Sequence, residues 1–173
     1  MTNQALTLDG IKNSASVFEW PVRVYWEDTD AGGIVFYANY LKFFERARTE
    51  WLRHLGLGQQ VLRDTTGGMF VVTDVQLKYH RAARLDDLLC VTARLKDNGR
   101  ASLGLHQQAW LLPAATTIPA PAGTAGTVSA STERSLLCEA HVRIGWVDAS
   151  QLKPQRIPAS VYQAISNADT HDQ

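Results

Sequence analysis

The sequence of 173 residues predicts a single α+β domain in which one long central helix is covered by a five-stranded antiparallel sheet. Three observations predict it. The apolar residues Tyr40, Leu41, Phe44, Ala47, Trp51, Leu52 and Leu55 recur at spacings of three and four, the stripe of an amphipathic helix. The segments around that stripe alternate with period two instead, one before the helix and four after it. Asn98-Gly99 stands between two of those alternating runs and signals an antiparallel hairpin.

Met1 to Ser16 is polar and mixed, without the basic start and apolar centre of a secretory signal, so a disordered leader is expected over 1–16. The folded domain is expected over 17–158. Val22, Val24 and Trp26 alternate with Arg23, Tyr25 and Glu27, the period of a half-buried strand. Glu27-Asp28-Thr29-Asp30 then forms a polar turn, and Ala31-Gly32-Gly33 removes side-chain bulk so that backbone can approach a ligand. Asn39 is expected to cap the helix N-terminus and Gly56 to stop it in a left-handed conformation. Phe43, Phe44 and Trp51 make the helix too apolar for a surface element, so the sheet must cover it.

Leu57 to Gly68, rich in Gly, Gln and Thr, reads as a connector. Phe70 to Tyr79 is the next strand, with Val71, Thr73, Val75, Leu77 and Tyr79 on one face. After the polar bend Tyr79–Asp87 come strands over Leu88–Lys96 and Ala101–Leu111. Pro113 to Ser131 is uncharged and almost wholly Ala, Thr, Pro, Gly and Ser, too poor in bulky side chains to offset its ordering entropy. A flexible insertion at a hairpin tip is therefore expected over 113–131. Ser135 to Val147 is the last strand, with Leu136, Cys138, Ala140, Val142, Ile144 and Trp146 on one side. Pro154 and Pro158 end the expected ordered chain, leaving a frayed tail over 159–173.

Lys plus Arg equals Asp plus Glu at 17 each, so there is no basic excess of the kind that marks a nucleic-acid partner. No apolar run reaches the length needed to span a membrane. Cys90 and Cys138 lie in separate apolar runs, as buried reduced thiols do, and no partner set suits a metal. His80, His106 and His141 share no spacing with a carboxylate or cysteine and read as surface or strand residues. A cytoplasmic protein fits this pattern.

The chemistry concentrates at the junction of the first strand and the helix. Carboxylates at Asp28 and Asp30 precede a helix whose first N–H groups have no internal partner, and such donors can hold a developing oxyanion. A carboxylate and N–H donors facing one small space suit attack on a carbonyl. The same residue types also serve as a plain acidic turn before a helix.

Arg23-Val24, Thr29-Asp30, the Gly-Ile-Val-x-Tyr run ending at Tyr37, and Asn39-Tyr40 together resemble the active-site signature of the 4-hydroxybenzoyl-CoA thioesterase family. Within it, the segments Glu27–Gly33 and Phe44–Glu50 resemble the YbgC-type acyl-CoA thioesterases associated with the Tol-Pal system. The resemblance implies the hotdog fold, a long helix wrapped by a curved antiparallel sheet and built as a dimer. It makes Asp30 the catalytic acid, as nucleophile or general base, and makes the Tyr37 backbone N–H the donor to the thioester oxygen. Asp28 falls on a neighbouring acid, and Glu45 lies on a helix where other hotdog thioesterases carry a working glutamate; both are secondary candidates. Gly33, Ile34 and Val35 would line the substrate. Arg81 and Arg84 are candidates for coenzyme phosphate, because guanidinium pairs bidentately with phosphate oxygens. Ala82 stands where relatives often have proline, and no histidine occupies Val35–Asn39, which disfavours hydratase chemistry.

The resemblance therefore implies hydrolysis of an acyl-CoA to free acid and coenzyme A, with no separate cofactor, since coenzyme A is part of the substrate. The alternative is a hotdog protein that binds acyl-CoA or acyl carrier protein at the cell-envelope machinery without turnover. A homodimer or dimer of dimers is expected.

Overall fold

Helix α1, Asn39–His54, turns Tyr40, Phe43, Phe44, Ala47, Trp51 and Leu52 inward and leaves Lys42, Glu45 and Arg46 outside. The computed structural model describes residues 17–113 and 134–170, with side chains through Asn167. The expected leader and, beyond Pro113, the expected insertion lie outside the described residues. Against α1 lies one sheet of five strands: β1 Phe18–Arg23, β2 Gly68–Tyr79, β3 Leu88–Asn98, β4 Ser102–Leu111 and β5 Ser135–Asp148. The order across it is β1-β3-β4-β5-β2, with every neighbouring pair antiparallel. The expected α+β class, with a long helix and five antiparallel strands, is the observed one.

The sheet's inner face meets the helix through Leu89, Val91 and Ala93 of β3, Leu103, Leu105 and Ala109 of β4, and Ala140, Val142, Ile144 and Trp146 of β5. Gln107 is buried among them, donating to the Phe44 carbonyl at 3.0 Å and accepting from the Arg48 guanidinium at 2.7 Å. A buried polar group in a core needs such partners, and here they also fix how the helix sits on β4. Pro21 is tolerated in β1 because that strand is a sheet edge.

Several local expectations are corrected. Trp26 is not on a half-buried strand. The chain leaves the ladder after Arg23 and makes a 3-10 turn over Trp26–Asp28, which leaves Trp26 79% exposed. Asn39 is the first helical residue and Ala38 the cap, while Gly56 takes the left-handed conformation expected of it, at φ +76. Leu41 points outward and Phe43 inward. In β2 a register shift between Val72 and Asp74 flips the pattern, so Phe70 packs on the core before it and Val75 and Leu77 after it. The connector contains helix α2, Gln59–Thr66, whose single buried residue, Leu62, is too little to show as a stripe. The chain does not fray after Pro158. Helix α3, Ala159–Thr170, buries Val161 and Ile165, and Asn98 donates to Ser166 Oγ at 2.6 Å.

Candidate active site

Residues 29–37 fold back on themselves before entering α1. Thr29 bridges Val35 in antiparallel fashion, the Asp30 N–H donates to the Ile34 carbonyl at 2.9 Å, and the Gly33 N–H donates to the Asp30 carbonyl at 3.0 Å. Gly33 has φ +72, a conformation that penalises any side chain, and this turn depends on it. The Asp30 carboxylate stays exposed, with Oδ1 accepting the Gly32 N–H at 2.8 Å. A methyl group at Gly32 would stand 3.0 Å from that oxygen, so the missing side chain leaves room for the carboxylate.

Asp28 has the opposite environment. It is 1% exposed, with Oδ2 accepting the Tyr25 N–H at 3.0 Å and Oδ1 without a hydrogen-bond partner among the described residues. Its carbonyl accepts the Phe36 N–H and an Asn39 side-chain N–H, both at 2.9 Å. Asp28 thus ties the two ends of the loop together, and Asp30 offers its carboxylate to solvent.

At the helix entrance the Phe36 carbonyl accepts the Asn39 N–H at 2.8 Å. The Tyr37 N–H, just before the Ala38 cap, has no partner among the described residues. The Tyr37 side chain is 63% exposed and packs at 4.6 Å on Phe36.

The segment 79–87 forms the other wall. Val35 donates its N–H to the Ala83 carbonyl at 2.8 Å, Ile34 bridges Arg84, and the Ala83 N–H donates to the Tyr40 hydroxyl at 3.0 Å. Burial, and less strongly the nearby Cys138, Asp87 and Tyr79, push the Tyr40 phenol above its ordinary value despite that bond. Arg84 therefore stands beside the Asp30 loop, with its backbone N–H held by Asp87 at 2.7 Å. Arg81 is exposed on the same segment, and neither guanidinium forms an ion pair with a described residue.

The structure thus gathers Asp28, Asp30, Gly33, Ile34, Val35, Tyr37 and Arg84 around one loop. Glu45 bonds none of these residues: its half-exposed carboxylate on α1 pairs with Arg48 and accepts from Thr49. Sequence reasoning read Tyr79 only as a strand residue, and it gave Asn39, which stands in the motif, the role of a cap and not of a tie to Asp28. Each acts through a backbone carbonyl, which no spacing pattern announces. No group of three or more His, Cys, Asp or Glu among the described residues is placed to hold a metal ion. No helix among them is long and apolar enough to cross a membrane.

The thioesterase superfamily model matches residues 32–116, which takes in part of this loop, α1 and the segment 79–87. The chain is 37% identical over 148 residues to the acyl-CoA thioester hydrolase YbgC of Escherichia coli O6:H1, covering 86% of this chain and 95% of that one. It is also 37% identical over 148 residues to the acyl-CoA thioesterase YbgC of Haemophilus influenzae, covering 86% and 93%. Among solved structures, a probable thioesterase from Bartonella henselae superposes with a TM-score of 0.65 at 28% identity, covering 83% of this chain and all of that one. A 4-hydroxybenzoyl CoA thioesterase complexed with 4-hydroxybenzoyl CoA shares the fold with a TM-score of 0.70 at 18% identity, over 86% of this chain and 97% of that one. By this likeness over 86% of its length, the chain belongs to the thioesterase superfamily, in its YbgC-type acyl-CoA thioesterase branch.

Proposed function

We propose that the protein hydrolyses acyl-CoA thioesters, with Asp30 as the reacting carboxylate and the Tyr37 backbone N–H as the donor to the thioester oxygen. One observation carries this reading. An exposed carboxylate and an uncommitted helix-entrance N–H belong to a single loop pinned at Asp30–Ile34 and Asp28–Phe36. Gly32 takes one oxygen of Asp30, and no described residue takes the other.

Two routes use these groups. Asp30 attacks the carbonyl carbon, coenzyme A leaves as thiolate and takes a proton, and water hydrolyses the mixed anhydride to regenerate the carboxylate. Alternatively Asp30 takes a proton from water, the resulting hydroxide attacks, and that proton passes to the departing thiolate. In both, the carbonyl oxygen gains negative charge that the Tyr37 N–H, at the positive end of α1, stabilises. Arg84 and Arg81 would receive coenzyme phosphates, and Gly33, Ile34 and Val35 would lie along the thioester.

The active unit is a homodimer or dimer of dimers, a reading supported by the open edge of β2. The free, buried thiols of Cys90 and Cys138 support a cytoplasmic setting.

Thiol release from butyryl-, benzoyl- and palmitoyl-CoA tests the activity and identifies the acyl class. Turnover of at least one is expected. Binding of all three without thiol release would instead favour a non-catalytic acyl-CoA or acyl-carrier-protein binder.

A further inference from the structure

We infer that the Tyr79 hydroxyl is a positioning group for the carbonyl-binding amide, because it donates to the Tyr37 carbonyl at 3.0 Å and so holds the turn that presents the Tyr37 N–H. This rests on the assignment of that N–H to the thioester oxygen.

The Tyr37 side chain cannot hold its own backbone, being mostly in solvent. Two carbonyl anchors do so. On the N-terminal side the Phe36 carbonyl is taken by the Asn39 N–H at 2.8 Å, and on the C-terminal side the Tyr37 carbonyl is taken by Tyr79. With the peptide units on both sides of the Tyr37 Cα anchored, rotation that would swing the N–H away is resisted. The first anchor is intrinsic to the helix entrance. The second comes from a side chain separated by 42 positions in sequence.

Tyr79 is well placed for this task. It ends β2, where it pairs with Cys138 of β5, so its Cα belongs to the sheet and not to a loop. Its ring meets Tyr37 edge-on at 6.4 Å and Tyr40 at 5.8 Å, which orients the hydroxyl. Burial first, and then Cys138 and Tyr37, hold its phenol above the ordinary value, so it remains a proton donor at neutral pH. The ring is 46% exposed, and a hydrogen bond at so open a position adds little to global stability. What it supplies is geometry at the place where charge develops.

Tyr79→Phe deletes the hydroxyl and keeps the ring. Removing a whole oxyanion donor costs about 10²–10³ in kcat, and loosening one is expected to cost about tenfold. KM should stay within about twofold of the parent, because the lost interaction acts in the transition state. A carbonyl-labelled thioester, the best of the three acyl-CoAs, bound to Asp30→Asn should show an infrared C=O stretch lowered relative to water. That lowering should shrink in the Tyr79→Phe/Asp30→Asn double variant. Unchanged kcat in Tyr79→Phe, or a lowering that survives in the double variant, overturns the inference alone. A rise in KM matched by weaker binding of the corresponding thioether would make Tyr79 a ligand contact and overturn it too. If Asp30→Asn shows no lowering at all, the Tyr37 assignment itself fails and this inference with it.

Discussion

Asn39 sends its side-chain N–H to the backbone carbonyl of Asp28 at 2.9 Å, joining the first residue of α1 to the turn that precedes Asp30. The same nitrogen lies 3.5 Å from the Glu27 carbonyl, and the side chain is buried. Asn39→Ala would leave the Asp28 carbonyl with the Phe36 N–H alone and open a void beside it. A buried group stripped of a partner costs about 1–3 kcal/mol. The variant should lose several degrees of Tm and several-fold in kcat, measured by calorimetry and thiol release. An unchanged Tm would show that the bond does not hold the loop.

Asp30→Asn should lower kcat by about 10²-fold or more, the scale of losing an acid–base or nucleophilic group. The amide oxygen of asparagine can still accept the Gly32 N–H, so the loop and the fold should persist. Asp28→Asn should affect the rate far less, because its carboxylate faces the Tyr25 N–H inside the turn. Near-parental turnover by Asp30→Asn would remove Asp30 from the mechanism.

The contrast between these two acids shows what a sequence can and cannot display. Thr29-Asp30 and the glycines after it marked the loop by their missing side-chain bulk, and the structure adds that Gly33 is left-handed there. That Asp28 is buried and Asp30 exposed depends on the Tyr25 and Phe36 N–H groups, which only the folded backbone brings to Asp28. The helix stripe was legible because its contacts repeat every turn. It misplaced Leu41 and understated Phe43, since the sheet covers one arc of the helix and leaves Leu41 in solvent. The β2 pattern failed at Thr73 for a similar reason: a bulge shifts the period by one residue without changing composition. Helix α3 went unseen because two prolines precede it and its polar residues outnumber Val161 and Ile165.

Acid should destabilise the fold in two stages. His106 is pushed below its ordinary value, first by burial and then by His141 at a ring distance of 4.8 Å, with Lys96 adding slightly and Glu139 opposing. The unfolded chain then binds this proton more readily, so stability falls as pH drops from the ordinary histidine range through the folded value. Glu139 is held below the usual carboxylate range, first by His80 at 2.9 Å and also by His106 and Lys78. Its contribution is present above the ordinary glutamate range and is lost lower down, as pH falls through its folded value. His106→Gln should flatten the decline of Tm below neutrality and leave the lower stage in place. An identical Tm profile in the two proteins would refute the assignment.

The connection between β4 and β5 spans residues whose flanks are already together, since Leu111 pairs with Ser135. Replacing 113–131 by a short Gly-containing turn should therefore leave the hairpin able to close. The entropy of closure grows only as the logarithm of loop length, about 1–2 kcal/mol between such lengths. Activity and Tm should stay near the parent. Loss of most activity at unchanged Tm would make the segment a working part of the site.

The sheet ends at β2 with an outer edge that no described strand covers. Beside it, an open groove of about 490 Å³ lies between α1 and β2, lined by apolar Leu41, Val72 and Val75 and by charged Glu45 and Arg48. An open edge next to exposed apolar side chains invites another strand, and a two-fold copy offers the same edge in the complementary direction. A second chain would continue the sheet through β2 and cover the groove, and a coenzyme held by the Asp30 loop and the 79–87 segment of one chain, which are joined at Ile34–Arg84 and Val35–Ala83, would then lie against the other chain. Val72→Asp would set two like charges across that axis while adding no strain within the monomer, because Val72 already faces solvent. Light scattering at micromolar concentration should show a dimer or dimer of dimers for the parent and a smaller species for Val72→Asp, with kcat falling in step. A parental chain that runs as a monomer and still hydrolyses acyl-CoA at full rate would defeat the shared site.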